Sequence, residues 1–303
     1  MRNKSYAIIN ITGLTVGVAA ALLIYLITSY HLSFDNYHSK KGRIYRVITE
    51  GKSAEGTHYN AGVPFPVTRG LREDFPQLSK VASVLSSGND QITVLEENGQ
   101  PGKKYKETRG FYFAEPELFD ILDFKWLSGN AKTLADPYTI VLSREIANKY
   151  FGDWTKAIGR SIKFENQDLM KVTGIIEDVP DNSDIPLKLV ASFKSFKSEN
   201  LNDWVSIYSS HNCFVLLPDN YQASTLYAQF PAFIKKHKPA ENVNDGIALQ
   251  ALTDMHFDTR VGTFSRRTFS KELITALTLI GVFLLVIACV NFINLATAQA
   301  VNR

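Results

Sequence analysis

Cysteine is scarce in this sequence, which has only Cys213 and Cys289 among its 303 residues. Cys289 lies inside a long apolar run and Cys213 lies in a charged region, so a disulfide between them is not expected. The cysteines therefore favour neither an oxidising nor a reducing compartment. Strong charge of one sign is also missing. The formal net charge is +3 and the basic residues are scattered, which argues against nucleic acid as a partner.

Motifs that carry enzyme chemistry are missing as well. The sequence has no H-E-x-x-H, C-x-x-C or G-x-S-x-G, and Gly51-Lys52-Ser53 lacks the upstream glycine that a phosphate-binding loop requires. The six histidines have no ligand-like spacing. Asp178, Asp181 and Asp184, beside Pro180, are interpreted as turn formers. We predict no catalytic, cofactor-binding or metal-ligating residue, and we expect that the chain is not an enzyme.

Two long segments contain no Lys, Arg, Asp or Glu. They run from Ser5 to Phe34 and from Leu273 to Asn302. Because about 20 apolar residues in a helix cross the hydrocarbon core of a bilayer, both segments predict transmembrane helices. The apolar core of the first, Ile8 to Ile27, is longer than the roughly 7–15 residues of a signal peptide, and no small-x-small cleavage site follows it. We interpret it as an uncleaved anchor.

Small and polar residues mark one face of each predicted span. Gly13, Gly17 and Ala21 share a face of the first helix, and small residues in this pattern let another helix approach closely in lipid. In the second helix we assign the same helix-packing role to Gly281, Ala288, Asn291 and Asn294. The asparagines either bond a neighbouring helix or reach the membrane interface. We expect these faces to contact helices beyond this chain.

The region between the spans alternates short strand and helix signals, which predicts an α+β domain. The predicted organisation is residues 1–34 for the first segment, 35–271 for the domain, and 272–303 for the second span. Predicted strands cover 43–50, 91–97, 104–113, 139–142, 160–164, 170–177, 187–193, 213–217 and 247–252, and predicted helices cover 64–75, 115–122, 144–151 and 221–237. Asn98-Gly99 predicts a hairpin turn, and Ser143 predicts a helix N-cap.

A set of strings in fixed order carries a family resemblance. They are residues 32–38 (LSFDNYH), 43–47 (RIYRV), 124–129 (FKWLSG), 140–143 (IVLS), 147–152 (ANKYFG), 172–175 (VTGI), 178–183 (DVPDNS), 252–256 (LTDMH) and 288–298 (ACVNFINLATA). In this order they resemble the FtsX/MacB-type ABC transporter permeases, in the form typical of Bacteroidetes. The resemblance covers nearly the whole chain.

The resemblance implies a multi-pass protein of the bacterial inner membrane with a MacB-like periplasmic core domain. It implies no catalytic residues and no cofactor in this portion. The implied partners are a separate cytoplasmic ABC ATPase, other permease helices or a second permease copy, a periplasmic adaptor and membrane lipid. ATP-driven movement of the periplasmic domain would serve export or mechanotransmission. Because the chain stops at Arg303, just past the second span, we expect the N-terminal part of a longer permease.

Orientation and function class leave alternatives open. Basic residues on the domain side outnumber Arg2, Lys4 and Arg303 on the other side, which alone favours a cytoplasmic domain. Long domains translocate largely regardless of this bias, so we follow the resemblance and expect the domain outside the cytoplasm. A two-helix extracytoplasmic sensor fits the same topology. A membrane-tethered enzyme is least favoured, because the motifs it needs are missing.

Overall fold

The computed structural model of the protein describes residues 4–239 and 245–301. The chain forms two compact units, a helical unit (Met1–Phe34 with Thr268–Arg303) and a domain (Asp35–Arg267). Each unit is described by itself below. Arg2 and Arg303, which entered the charge count, lie outside the described residues.

The helices and strands of the described residues are numbered in chain order. The helices are α1 (Lys4–Leu32), α2 (Pro66–Asp74), α3 (Leu118–Ile121), α4 (Arg144–Phe151), α5 (Ala223–Tyr227), α6 (Phe230–His237), α7 (Leu252–Met255) and α8 (Lys271–Val301). The strands are β1 (Ile44–Ser53), β2 (Gly56–Asn60), β3 (Lys80–Ser87), β4 (Asp90–Leu95), β5 (Pro101–Glu107), β6 (Phe111–Ala114), β7 (Trp126–Ser128), β8 (Thr139–Ser143), β9 (Ser161–Phe164), β10 (Asp168–Ile176), β11 (Leu189–Ser192), β12 (His211–Leu216) and β13 (Asp245–Ala251).

All of these strands join one mixed sheet. Its order is β13-β1-β12-β3-β6-β11-β8-β10-β9-β4-β5, with β2 paired to β1 and β7 paired to β10. Most neighbours are antiparallel, whereas β8–β10 and β6–β11 are parallel. Strands β6 and β11 are buried at every residue, as expected for apolar strands covered on both faces. The predicted α+β fold class, with two apolar helices flanking the domain, is confirmed.

Apolar clusters cover both faces of this sheet. Tyr112 and Ala114 of β6 join one cluster, which includes residues of α3 and α7. Phe111 and Phe113 join another, which includes residues of α4. Successive side chains of a strand point to opposite faces, so β6 supplies both clusters. A third cluster packs α2, α5 and α6 against β1 and β12.

Several local predictions are confirmed. Strands β4 and β5 form the hairpin around Asn98-Gly99, where Gly99 has a φ of +79° that suits glycine. Strands β9 and β10 pair antiparallel around Asn166, as the pattern predicted. The Ser143 hydroxyl accepts a hydrogen bond from the backbone N–H of Ile146 at 3.3 Å and so caps α4. These features depend on residues adjacent in sequence.

Two predicted elements are wrong in their extent. The strand predicted over 104–113 is two strands, because the chain turns at Gly110 (φ +92°). Strand β5 then pairs with β4, and β6 pairs with β3 and β11. The helix predicted over 221–237 is also two helices, α5 and α6. Pro231 lies in the first turn of α6, where the missing N–H costs nothing, but it cannot continue a preceding helix.

The helical unit consists of α1 and α8. Both are long and apolar enough to cross a membrane, over Ile8–Leu32 and Lys271–Asn294. Only 11% and 17% of their most apolar windows are buried, whereas the core helix of a soluble protein is mostly buried. The exposed surface is apolar, for example at Leu23 and Phe283, as expected for a surface that faces lipid. Near one end of the unit, the His31 ring stacks on Phe269 with centroids 3.8 Å apart.

Candidate functional site

Most of the predicted helix-packing residues lie at the contact between α1 and α8 inside the helical unit. A methyl group built at Gly13 would lie 3.0 Å from the Asn291 side-chain nitrogen, and one at Gly17 would lie 3.3 Å from the Ala288 Cβ. Both distances are tighter than ordinary contact, so glycine is what permits this approach. Residue numbers rise along α1 as they fall along α8, which makes the two helices antiparallel.

Further along the same interface, Gly281 faces Ile24, with a Cβ at Gly281 placed 3.2 Å from the Ile24 Cγ2. Ala21 and Ala288 are buried, at 5% and 2% exposure. Asn294 is different, because it is exposed. From the sequence we expected these faces to contact helices outside the chain. In the structure the small residues of the two helices pack against each other, because their small side chains let the two backbones come close.

Asn10 is a polar residue of α1 that the sequence reading missed. Its side chain is 7% exposed, and the Asn291 Nδ2 donates to its backbone oxygen at 3.2 Å. The Asn10 Nδ2 has no hydrogen-bond partner among the described residues. A buried amide without a partner costs roughly 1–3 kcal/mol by protein mutational data. A lone Asn within an otherwise apolar run is the sequence signal that could have found it.

In the domain, a buried polar cluster joins residues near the first residue of the domain to residues near its last. We call Asp35, Ser183, Asp184, His256 and Ser265 the terminal cluster. The Asp35 carboxylate accepts from the Ser183 hydroxyl at 2.7 Å and from the backbone N–H of Asp184 at 3.1 Å. The Asp184 carboxylate accepts from the Ser265 hydroxyl at 2.6 Å. His256 Nδ1 lies 3.3 Å from the other Asp184 oxygen. Asp184 therefore links both ends.

The terminal cluster is assembled from segments far apart in sequence. Asp35 is the first residue of the domain and has a φ of +53°, a left-handed conformation that Asp tolerates better than most residues. Ser183 and Asp184 follow β10, His256 follows α7, and Ser265 is near the last residue of the domain. Three strings of the family resemblance, residues 32–38, 178–183 and 252–256, each supply one member. The strings thus converge in space.

Burial sets the electrostatics of the cluster. Asp35 is 2% exposed, and burial raises its carboxyl pKa to about 6. The Ser183 hydrogen bond lowers the pKa, and the neighbouring Asp184 charge raises it again. Tyr37, whose hydroxyl is 3.1 Å from the Ser183 Oγ, also has its pKa raised, chiefly by burial. In Asp35, burial therefore disfavours the charged form, and the hydrogen bonds from Ser183 and Asp184 offset part of that cost.

A second buried contact lies beside the start of the domain. The backbone N–H of Asp123 donates to His38 Nδ1 at 3.0 Å, and the Asp123 carboxylate accepts from the Ser39 backbone and hydroxyl. Burial lowers the pKa of His38 to about 4, so the imidazole is neutral at physiological pH. Because Nδ1 accepts, the proton is on Nε2. This contact fixes the segment that follows Asp35 against the loop after α3.

The acidic residues interpreted as turn formers do more than form a turn. Asp178 accepts from the backbone N–H of Glu145 at 2.6 Å, at the start of α4, and pairs with Arg144 at 3.2 Å. Asp184 belongs to the terminal cluster, where it is 0% exposed. Among the described residues, no group of three or more His, Cys, Asp or Glu side chains could hold a metal ion. The absence of catalysis and of a cofactor stays a prediction.

Comparison with known proteins places the chain in a family. The profile of the MacB-like periplasmic core domain matches residues 7–232, most of the chain. The chain therefore belongs to this family, and it is a component of a permease-type ABC transporter. The family predicted from the ordered strings is confirmed. No curated protein matches the chain.

A solved structure has a similar fold. It is a domain of a suspected permease protein from Porphyromonas gingivalis, with a TM-score of 0.60 and 19% sequence identity. The match covers 79% of this chain and 99% of that chain. At this identity the similarity shows the fold.

Proposed function

We propose that this chain is the membrane component of an FtsX/MacB-type ABC transporter, coupling ATP hydrolysis by a separate cytoplasmic subunit to movement of a periplasmic domain. In this proposal α1 and α8 are two spans of a multi-pass permease in the bacterial inner membrane. The domain Asp35–Arg267 lies in the periplasm. Movement of the domain serves export or mechanotransmission. Family membership and the two exposed apolar helices support this proposal.

The observation that carries the proposal is the terminal cluster. Asp35 lies three residues after Leu32, where α1 ends, and Ser265 lies six residues before Lys271, where α8 begins. Both residues bond to the same short segment, Ser183-Asp184. A displacement of either helix along its axis therefore reaches the same point of the sheet domain. A domain tethered at one end only would instead pivot about its linker.

The strength of the bonds suits this role. Hydrogen bonds to charged groups are worth roughly 1.5–3 kcal/mol each, and breaking a buried network costs more because groups are left unpartnered. Asp35, Ser183 and Asp184 are all at most 2% exposed. A pull on one chain end is therefore transmitted through the cluster rather than absorbed by local unfolding. The antiparallel packing of α1 and α8 supports joint movement of the two helices.

Contacts with further permease helices, or with a second copy of the permease, belong to the other faces of α1 and α8. The small-residue faces are already paired with each other. Asn294 is exposed, so a side-chain amide remains on the outside of α8 where another helix can bond to it. We place the expected helix contact there. A periplasmic adaptor is a further proposed partner of the domain.

Co-purification tests the partnership with the ATPase. The full chain, affinity-tagged and expressed from its native locus, is solubilised in mild detergent, and the bound proteins are identified by mass spectrometry. A stoichiometric ABC ATPase subunit is the expected result. A tagged unrelated inner-membrane protein of similar abundance is the control. Recovery of a histidine kinase or a chemotaxis protein in place of an ATPase would contradict the proposal and favour a sensor.

Cysteine labelling tests the periplasmic placement. Cys213 is fully buried, so it cannot report topology. Lys103 is exposed on β5, and Lys103→Cys in a Cys289→Ser background gives the reagent an accessible thiol. A membrane-impermeant maleimide should label it in intact spheroplasts. Labelling only after lysis would contradict the periplasmic placement, and the same chain without the introduced cysteine controls for background.

A further inference from the structure

A large polar cleft opens in the domain, and the residues on both sides of Ser265 help to line it. It has a volume of about 990 Å³, comparable with the roughly 300–1,000 Å³ of small-molecule sites. Segments that are distant in sequence meet around it. They are the ends of β2 and β3, the turn between β5 and β6, the start of β12, and residues 260–266. Because segments distant in sequence form it together, the cleft is a product of the tertiary fold.

The charge of this cleft is one-sided. Four arginines line it, namely Arg46, Arg109, Arg260 and Arg266, and none of the described residues that line it is Asp or Glu. The rest of the lining is rich in hydroxyl and amide groups, including Ser86 and Ser209. Walls of low dielectric around charges of one sign concentrate the field and raise the local concentration of counter-ions. The cleft is therefore positive and polar.

Arg46 lies in the wall of the cleft with 0% exposure. Its Nε and Nη2 donate to the Gln250 Oε1 at 2.9 and 2.6 Å, and its Nη1 donates to the Asn212 Oδ1 at 3.1 Å. These partners are neutral, and no ion pair to Arg46 forms within the described part of the chain. Burial lowers the pKa of Arg46 to about 10, and the charges of Asp184 and Asp258 raise it in part. Its hydrogen-bond partners therefore leave the positive charge without a direct carboxylate partner among the described residues.

A structural role accounts for part of this arrangement. Arg46 is on β1, Asn212 is on β12 and Gln250 is on β13, so the three hydrogen bonds tie neighbouring strands together. Arg260 is also accounted for, because it pairs with Asp258 at 2.8 Å and lies over the Tyr59 ring at 4.6 Å. Neither explanation covers the remaining two arginines.

Arg109 and Arg266 are exposed on the lining, and the described residues offer neither an ion-pair partner. Arg109 follows β5 and Arg266 is close to the end of the domain, so the fold brings two distant guanidinium groups to one cleft. Guanidinium groups bind phosphate and carboxylate oxygens through two parallel hydrogen bonds. A phosphate group carries a charge near −2 at neutral pH, which suits two free arginines better than a single carboxylate does.

We propose that this cleft binds a polar molecule that carries a phosphate group. Arg109 and Arg266 contact the phosphate, the buried Arg46 adds positive potential from behind the wall, and the serine, threonine and asparagine side chains bond the rest of the molecule. The phosphate belongs either to a soluble compound or to the headgroup of a lipid. This site is independent of the proposed ATP coupling, which takes place on another subunit.

Binding to the full chain in lipid nanodiscs tests the proposal. The soluble probe is sodium pyrophosphate, measured by isothermal titration calorimetry. The lipid probe is a vesicle with phosphatidic acid in phosphatidylcholine, measured by flotation against pure phosphatidylcholine. The test variant is Arg109→Ser with Arg266→Ser, and we expect at least tenfold weaker binding of whichever probe the wild-type protein binds. The nanodiscs for both assays contain phosphatidylcholine only.

The matched control is Lys103→Ser with Lys104→Ser, which removes the same charge from exposed residues of β5 outside this cleft. It should bind like the wild-type protein. Unfolding temperatures of both variants within about 2 °C of wild type exclude misfolding as the cause. Binding of pyrophosphate identifies a soluble ligand, and flotation only with phosphatidic acid identifies a headgroup. Failure of both probes with wild type, or equal loss in the control, would overturn the proposal, while the ATPase co-purification stays unaffected.

Discussion

The helical unit and the domain bury polar groups in different ways. In α1, the side-chain nitrogen of Asn10 is buried without a partner among the described residues, and Asn291 reaches only its backbone. In the domain, one carboxylate oxygen of the fully buried Asp184 accepts from the Ser265 hydroxyl, and the other lies 3.3 Å from the His256 ring without a hydrogen-bond partner among the described residues. The contrast indicates that close packing of small residues holds the helices together. Directed polar bonds hold the ends of the domain.

The largest effect is expected where the contrast is sharpest, at Asp184. Asp184→Ala leaves the Ser265 hydroxyl and the His256 ring without their shared acceptor, in a site with 0% exposure. Breaking a buried charged network in this way should lower the free energy of unfolding of the domain by about 3 kcal/mol. Urea unfolding followed by tryptophan fluorescence measures it, because all 3 tryptophans lie in the domain.

The control for this variant is Asp136→Ala, at an exposed residue of the same domain. A surface change of this kind should shift the free energy of unfolding by no more than about 0.5 kcal/mol. Equal effects of the two substitutions would show that the terminal cluster contributes nothing special to stability.

The second-largest expected effect is a pH dependence of the free energy of unfolding of the domain, caused by Asp35. Its pKa is raised to about 6 in the fold, so the folded state binds more protons than the unfolded chain between about pH 4 and pH 6. Its contribution to stability is therefore full below about pH 4 and is lost as the pH rises through about 6. By the relation between pKa and free energy the loss is about 3 kcal/mol.

Asp35→Asn should remove this loss, so the stability difference between wild type and variant should change steadily from pH 4 to pH 6.5. The difference is needed because the buried His38 and His211 have pKa values lowered to about 4 and act in the opposite direction. Urea unfolding at stepped pH measures it, with Asp136→Asn as the control. A constant difference across this range would contradict the assigned pKa shift.

A moderate effect is expected in the helical unit from Gly17→Leu. A side chain there would meet Ala288 and the Leu284 backbone, so the helices must separate or tilt, at a cost of about 1–3 kcal/mol. Spin labels on the exposed residues Ile9 and Ile293, in a Cys289→Ser background, report the separation by pulsed electron paramagnetic resonance. The distance distribution should broaden and shift to longer values. Val16→Leu, at an exposed residue of the same turn, should leave it unchanged.

The smallest effect is expected from Asn291→Leu, which removes the side-chain hydrogen bond between the helices at Asn10. Such bonds in membrane proteins average about 0.6 kcal/mol. The two helices of the variant should therefore separate at an only slightly lower concentration of sodium dodecyl sulfate, as measured by the spin-label distance. Asn294→Leu is the matched control, because Asn294 is exposed. An effect of Asn291→Leu larger than that of Gly17→Leu would reverse the comparison and make polar bonding the main force between the helices.

The parts of the fold that follow from the sequence are those set by neighbouring residues. The apolar runs predicted both long helices because each charged residue in a bilayer costs free energy, so a long run without charges indicates a span. Asn98-Gly99 predicted its hairpin because Gly99 takes the positive φ that this turn requires. Strand β3 was missed because it is a short apolar run without alternation. The break before Pro231 was missed because an apolar pattern continues on both sides of it.

The terminal cluster could not be derived in the same way. Its members are separated by long stretches of chain, and each looks like an ordinary turn or loop residue on its own. Only the sheet order brings them together. The pairing of Gly17 with Ala288 also needed tertiary information, since small faces do not reveal their partners. Nothing in the sequence indicated that Arg46 is fully buried, although it lies in a predicted strand and in one of the family strings.

The central claim is that helix movement reaches the domain through the terminal cluster. It is tested by the distance between spin labels on Lys103→Cys in two permease copies of the assembled complex, with ATP and with ADP. The account predicts an ATP-dependent change in this distance that Ser265→Ala reduces or abolishes while the ATPase stays bound. Ser53→Ala, at an exposed hydroxyl, should preserve it. A full ATP-dependent change in the Ser265→Ala complex would contradict the account.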